Sequence, residues 1–245
     1  MPKIELKNIE LKYFGKTALK IDALDFDSCL GVIGESGSGK TNLIKVLTGL
    51  EYIESGQIFF DGIDITQIKT SKRGIVLLSA QTPLFGRKSV RYNLEFPLKQ
   101  RKKINRHCGQ SAANRRISKD EIAERVEKRA GEFCLPLEVR AKDLTEEQKI
   151  DALLARAFIR RSNLIIVDEP HGFTGNTEYF CRRFNEFIQK YGACVVFSTY
   201  DYNLVKDICD KFIVLNDGTV AAQGTREEIE NSPDDYVKAG CGFKL

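Results

Sequence analysis

The first apolar positions alternate with polar ones. Ile4, Leu6, Ile9 and Leu11 sit among Lys3, Glu5, Lys7 and Glu10, a period of two that predicts a half-exposed antiparallel strand. Residues 24–27 and 30–33 predict two more strands, the second nearly continuous in apolar character and therefore buried. The period then becomes helical, with Leu43, Ile44 and Leu47 on one face and Gly49 as the stop. Residues 57–60 and 63–65 flank Asp61-Gly62, a favoured hairpin dipeptide. From about 86 to 143 the chain is polar, basic and helix-prone, an arm on the side of the core, with 120–133 expected as an exposed helix. An amphipathic helix follows Thr145, with Ile150, Leu153, Leu154, Ala157 and Phe158 on one stripe. After it come an apolar strand at 164–167, a helix at about 177–191 and a strand at 193–198. This alternation predicts an α/β fold with a largely parallel sheet covered on both faces, and no internal repeat is visible.

At 245 residues the chain is long enough for a sizeable core, and its 42% hydrophobic and 29% charged residues are those of a globular protein. No apolar run approaches the ~18–20 residues that span a bilayer, and the start is a charged alternation rather than a leader, so a cytosolic chain is expected. Seven cysteines (29, 108, 134, 181, 194, 209, 241) are odd in number, scattered, and contain no Cys-x-x-Cys pair. They read as reduced thiols filling core positions. Only two histidines, His107 and His171, exist for any mechanism that needs one. The net charge of +4 conceals a basic stretch, 99–119, with eight Lys or Arg and no acid. Such a stretch could touch nucleic acid, anionic lipid or an acidic partner. It holds no aromatic residue for base stacking, so a solvated insertion is the expectation.

Gly34-Glu35-Ser36-Gly37-Ser38-Gly39-Lys40-Thr41 matches the P-loop pattern in full, directly after a predicted buried strand and directly before a predicted helix. The glycines let backbone N–H groups turn toward phosphate oxygens, and the helix N-terminus adds partial positive charge. Gly34, Ser36, Gly37, Ser38, Gly39, Lys40, Thr41 and Asn42 are the candidate nucleotide-binding residues. Lys40 is expected at the β- and γ-phosphates and Thr41 on Mg2+. An acidic pair, Asp168-Glu169, ends the strand at 164–167. Alone it reads equally as a strand terminus. Beside a P-loop it reads as catalytic, with Asp168 holding Mg2+ through water and Glu169 polarising the attacking water. No Asn-Lys-x-Asp guanine motif occurs, which argues against GTP as the specific ligand.

With these motifs the chain resembles the ATP-binding subunit of ABC transporters over essentially its whole length. The resemblance implies a P-loop NTPase fold, a RecA-like core with an antiparallel β subdomain and a helical subdomain at about 86–160, in one cassette spanning 1–245. It implies that Tyr13 stacks on adenine. It also implies that Gln81, in Leu77-Leu78-Ser79-Ala80-Gln81, senses Mg2+ and the γ-phosphate at the edge of a permease-docking surface, a catalytic and metal-binding role. Residues 89–94 are similar to the segment that follows that glutamine, and 65–98 resembles importers more than exporters. ATP and Mg2+ are the implied cofactors. A membrane permease and a second ATP-binding subunit are the implied partners, which would hold the chain at the inner face of the membrane.

Three departures qualify the match. The family's Leu-Ser-Gly-Gly-Gln signature, which closes on the partner's ATP, is here Leu144-Thr145-Glu146-Glu147-Gln148. Thr145 with Gln148 keeps a capping box, so the helix start is expected to survive. The family's histidine after a later strand is here Tyr200, and the loop 171–175 ends in Gly175 where the family usually has aspartate. A homodimer would put both defects in both sites, whereas a heterodimer with an orthodox partner separates them and is favoured. Two other readings stand beside transport: a nucleotide-binding regulatory or structural subunit with little hydrolysis, and a soluble ABC-type ATPase acting on nucleic acid through the basic insertion, the less expected of the two.

Overall fold

The computed structural model describes residues 2–99, 117–160, 162 and 164–241. Most of the basic stretch at 99–119 lies outside the described residues, and the readings built on it lie there too.

Two sheets form. The first is antiparallel, in the order β2-β1-β4-β5, from β1 (Ile4–Tyr13), β2 (Lys16–Phe26), β4 (Ser55–Phe60) and β5 (Ile63–Asp64). The second has the order β10-β9-β3-β8-β7-β6, from β3 (Cys29–Ile33), β6 (Ile75–Leu78), β7 (Leu164–Asp168), β8 (Cys194–Thr199), β9 (Lys211–Asn216) and β10 (Thr219–Thr225). Its strands are parallel except β10, which is antiparallel to β9.

The central strands of the second sheet are apolar on both faces because each face meets a different core. Leu30, Val32, Leu164, Ile166, Cys194, Val196, Ile213 and Leu215 point to one side. There they join Ile4, Leu6, Leu19 and Ile21 of the antiparallel sheet and the buried face of α1 (Lys40–Thr48). Ile33, Ile165, Val167, Val195, Phe197, Phe212 and Val214 point to the other side. That side is covered by α2 (Val90–Lys99), α3 (Lys119–Glu132), α4 (Glu146–Phe158) and α5 (Thr177–Tyr191). Short helical pieces complete the described residues, among them α6 (Tyr202–Val205), α7 (Arg226–Glu230) and α8 (Asp235–Gly240).

Several expectations change. The helix expected to be exposed at 120–133 is α3, and it buries Ile122, Val126 and Ala130 at helical spacing against its neighbours. Phe133, just past its end, stacks on Phe187 of α5 with centroids 4.0 Å apart. The strand expected at 24–27 is the end of the longer β2. Strands β6, β9 and β10 were not anticipated. In β1 the alternation slips at Asn8, whose φ of 50 accompanies a register shift against β4 and returns Ile9 and Leu11 to the core.

Candidate functional site

Strand β3 runs buried to Ile33 and delivers the loop 34–39 to the start of α1. Gly34 has φ 157, and a Cβ there would strike Ser38 and the carbonyl of Leu215, so the turn needs glycine. Gly39 caps α1 with a left-handed φ of 106, without a side-chain cap and without an acid in the first turn. The amides at this end are thus not taken by a capping side chain. The turn at Gly218, between β9 and β10, braces the loop: its N–H donates to the carbonyl of Ser38 at 2.9 Å.

Lys40 is 6% exposed. Its Nζ donates to the carbonyls of Gly34 at 2.7 Å and Glu35 at 2.9 Å, and lies 3.1 Å from Glu169 Oε1. A buried ammonium held this way is fixed in place across the loop. Two buried atoms here have no hydrogen-bond partner, Ser38 Oγ and Glu169 Oε2. Orphaned polar atoms of opposite character, a hydroxyl and a carboxylate oxygen, fit a site that binds phosphate on one side and a water or cation on the other.

Glu169 follows β7 in a left-handed conformation, φ 47, with its N–H donating to Ser198 O at 3.0 Å. Such a conformation is strained for a non-glycine residue and persists because the neighbouring strand holds it. Asp168 lies opposite Ser198 in the β7–β8 register and accepts from Ser198 Oγ at 3.1 Å. Burial pushes the Asp168 carboxyl up; the Ser198 hydroxyl and the Lys40 ammonium pull it back, and the Glu169 charge adds to the rise.

Gly39, Lys40 and Glu169 border an open cleft of about 610 Å³, within the range of small-molecule sites. Its lining joins the P-loop and the start of α1 (Ser36, Gly37, Gly39, Lys40, Thr41 and Asn42) to residues that follow β7 and β8 (Glu169, His171, Gly172 and Tyr200). Asn42 also donates to the carbonyl of Ala18 at 3.1 Å, tying α1 to β2. Of the residues expected at the site, Gly34, Ser38, Asp168, Gln81 and Tyr13 do not line this cleft. Gln81 is exposed in the turn after β6, its N–H 3.3 Å from Ser79 Oγ. Tyr13 ends β1, 36% exposed, its phenol pushed up by burial and by the neighbouring Glu51. No group of three or more His, Cys, Asp or Glu that could hold a metal occurs among the described residues.

The capping box at the start of α4 forms as read: Thr145 Oγ1 accepts from Gln148 N at 3.2 Å, and Gln148 Oε1 accepts from Thr145 N at 3.0 Å. Glu146 and Glu147 are exposed in the first turn, and Glu146 pairs with Lys149 at 2.7 Å. A Cβ on Gly175 would lie 3.5 Å from Glu146 Oε2, so the altered loop and the altered signature adjoin within one chain.

Two contributors were not read from the sequence. Ser198 holds Asp168, and Arg156 on α4 donates to the carbonyls of Thr82 and, at 2.8 Å, Pro83, bracing the turn that carries Gln81. Burial brings the Arg156 guanidinium down to about 10, so it stays charged at neutral pH. Neither has a local spacing signal, since Arg156 and Thr82 are 74 residues apart.

A buried strand, a glycine loop with an embedded lysine, a helix start without a side-chain cap and an acidic strand end nearby define a P-loop nucleoside-triphosphatase fold and site. Residues 23–172 match the family model described as ABC transporter, and the chain belongs to that family as a nucleotide-binding domain. It is similar to the sulfate/thiosulfate import ATP-binding protein CysA of Caulobacter vibrioides, 28% identical over 98% of this chain and 69% of that one. It is also similar to the putrescine transport ATP-binding protein PotG of Escherichia coli, 27% identical over 95% of this chain and 59% of that one. The chain thus spans about two thirds of the length of the curated relatives it matches. A crystal structure of a nucleotide-free ATP-binding cassette from an ABC transporter superposes with a TM-score of 0.77 at 22% identity, covering 98% of both chains, which shows the shared fold.

Proposed function

We propose that this chain is the ATP-binding subunit of an ABC importer, coupling ATP binding and hydrolysis to solute uptake through a separate membrane permease. The observation that carries the reading is Lys40 held between the P-loop carbonyls and Glu169, with a hydroxyl and a carboxylate oxygen left unpartnered beside it. On ATP binding, Lys40 exchanges its carbonyl partners for the β- and γ-phosphates, and the loop amides meet the remaining oxygens. Thr41 and Asp168 would hold Mg2+, which would supply charge neutralisation at the phosphates; Gln81, outside the cleft, would join them only by a movement of its turn. Once Lys40 turns to phosphate, Glu169 is freed to accept a proton from the attacking water. Tyr13 is assigned to the adenine.

The permease would dock beside the turn of Gln81 and the helical arm, placing the chain at the cytoplasmic face of the membrane. The second ATP-binding subunit is assigned as an orthodox one, because Glu146, Glu147 and Tyr200 would weaken both sites of a homodimer. A regulatory subunit that clamps on ATP and hydrolyses little is the second reading, favoured by the exposure of both glutamates at the capped start of α4.

Glu169→Gln separates the two. In a hydrolysing subunit, turnover by the assembled complex falls by orders of magnitude while ATP binding remains. In a clamp, turnover barely changes.

A further inference from the structure

Besides the P-loop and the start of α1, three side chains line the cleft and can meet a bound group: Glu169, His171 and Tyr200. Glu169 is an anion paired with Lys40, and it repels phosphate oxygens unless a water stands between them. That leaves an imidazole and a phenol as direct donors. Tyr200 stands where the resemblance leads one to expect a histidine, and the ring of His171 stacks on it, with centroids 5.3 Å and planes 25° apart. His171 comes from a different element, the 3-10 turn Pro170–Gly172, two residues beyond Glu169. The turn is closed by Gly172 N donating to Glu169 O at 2.8 Å and Thr174 N to Pro170 O at 3.0 Å.

The Nδ1 edge of the imidazole is held as well. His171 Nδ1 lies 3.1 Å from Thr177 Oγ1, which in turn lies 3.3 Å from Thr174 Oγ1. If Thr174 donates to Thr177 and Thr177 to Nδ1, the proton of the neutral ring resides on Nε2, which is then a donor.

We propose that His171 donates Nε2–H to the terminal phosphate of bound ATP, so that the imidazole contact is delivered by the loop after β7 rather than by the end of β8. Tyr200 is then the plate against which the ring is held, and Thr177 anchors its Nδ1 edge. The inference rests on the nucleotide reading of the cleft and adds a residue to it. Its signature is selectivity: a contact to the third phosphate strengthens ATP and leaves ADP alone.

The test is titration of the full chain, with Mg2+, by ADP and by a non-hydrolysable β,γ-imido analogue of ATP. His171→Ala is expected to weaken the ATP analogue about tenfold, the scale of one hydrogen bond to a charged group, and leave ADP unchanged. His171→Gln recovers part of the loss, and Tyr200→Phe, which keeps the ring, changes little. Adding Tyr200→His to His171→Ala restores the preference. Because His171 is exposed, the melting temperature should stay put, which shows that the variant is folded. The proposal is overturned if His171→Ala weakens both ligands equally or neither, or if Tyr200→Phe alone abolishes the preference, which would make the phenol the contact. Lys40→Ala is the separate check: if the wild-type chain binds no nucleotide, or binds it as well without Lys40, the reading of the cleft itself fails and this inference with it.

Discussion

Asp168 ends a buried strand with an acid next to it and a hydroxyl against it, and these neighbours pull its proton affinity in opposite directions. Burial wins, so the folded carboxyl binds its proton more tightly than the unfolded one. Just above the ordinary carboxylate range the native state therefore holds more protons than the unfolded chain, and stability falls as pH rises through that window. Asp168→Asn removes the penalty and keeps an acceptor for Ser198. At pH 7 the variant should melt above the wild type. Below about pH 3, where the carboxyl is protonated in both states, the difference should vanish. If Asp168 also holds Mg2+, the same change abolishes the Mg2+-dependent part of ATP affinity, read by titration with and without the ion. A variant less stable than wild type at neutral pH would show that Ser198 and Lys40 outweigh burial.

Helix α1 is anchored at both ends by charge, phosphate at its N-terminus in the proposed function and Arg73 at its C-terminus. Arg73 is 1% exposed and donates to the carbonyls of Val46 and Leu47 at 2.7 Å each, and to those of Ile68 at 2.8 Å and Thr66 at 2.9 Å. A guanidinium there adds a donor to carbonyls of the last turn, one of which, Val46 O, also accepts from Gly49 N at 3.1 Å, and answers the negative end of the helix dipole. Gly49 makes room for it, since a Cβ would stand 2.6 Å from Arg73 Nε. Arg73→Met leaves buried carbonyls unpaired, and the expected loss is about 3–5 kcal/mol in urea denaturation. A loss below about 1 kcal/mol would show that water or relaxed backbone replaces the side chain.

The chain's pattern makes some elements readable and others not. The P-loop, β3, β7, β8 and the capped α4 each carry a local signal: a glycine spacing, an apolar run next to an acid, a Thr-x-x-Gln box. β2 shows its buried residues at Leu19, Ile21, Leu24 and Phe26, an alternation that skips a beat and so reads as broken. β6 and β9 are short apolar runs that periodicity cannot tell from buried helix. In the site, Lys40, Thr41, Asp168 and Glu169 were legible because local motifs hold them. The meetings of His171 with Tyr200, Asp168 with Ser198 and Arg156 with Thr82 were not, because they join residues brought together only by the parallel sheet and the helices on it.

At the scale of the whole molecule the question is what the exposed start of α4 presents to a partner. Glu146 and Glu147 are favourable where they are: first-turn acids suit the helix N-terminus, and Thr145 and Gln148 close the capping box around them. What the two acids alter is therefore the surface, not the fold. Against the γ-phosphate of a second subunit, one carboxylate at 4 Å repels by about 4 kcal/mol at an effective dielectric of 20, on the order of a thousandfold in association. The chain alone, carrying Glu169→Gln so that ATP persists, should then stay monomeric in light scattering when ATP and Mg2+ are added. Glu146→Gln with Glu147→Gln removes the charges while keeping good helix formers, and should bring ATP-dependent dimers within reach at the same concentration. Glycines at both positions would also restore close approach but loosen the helix by about 1 kcal/mol each, so the glutamine pair isolates the electrostatic cause. Dimers of the unmodified signature that form readily on ATP and turn it over briskly, once Glu169 is restored, would mean that the acids rotate away from phosphate. The heterodimer would then no longer be needed to explain them.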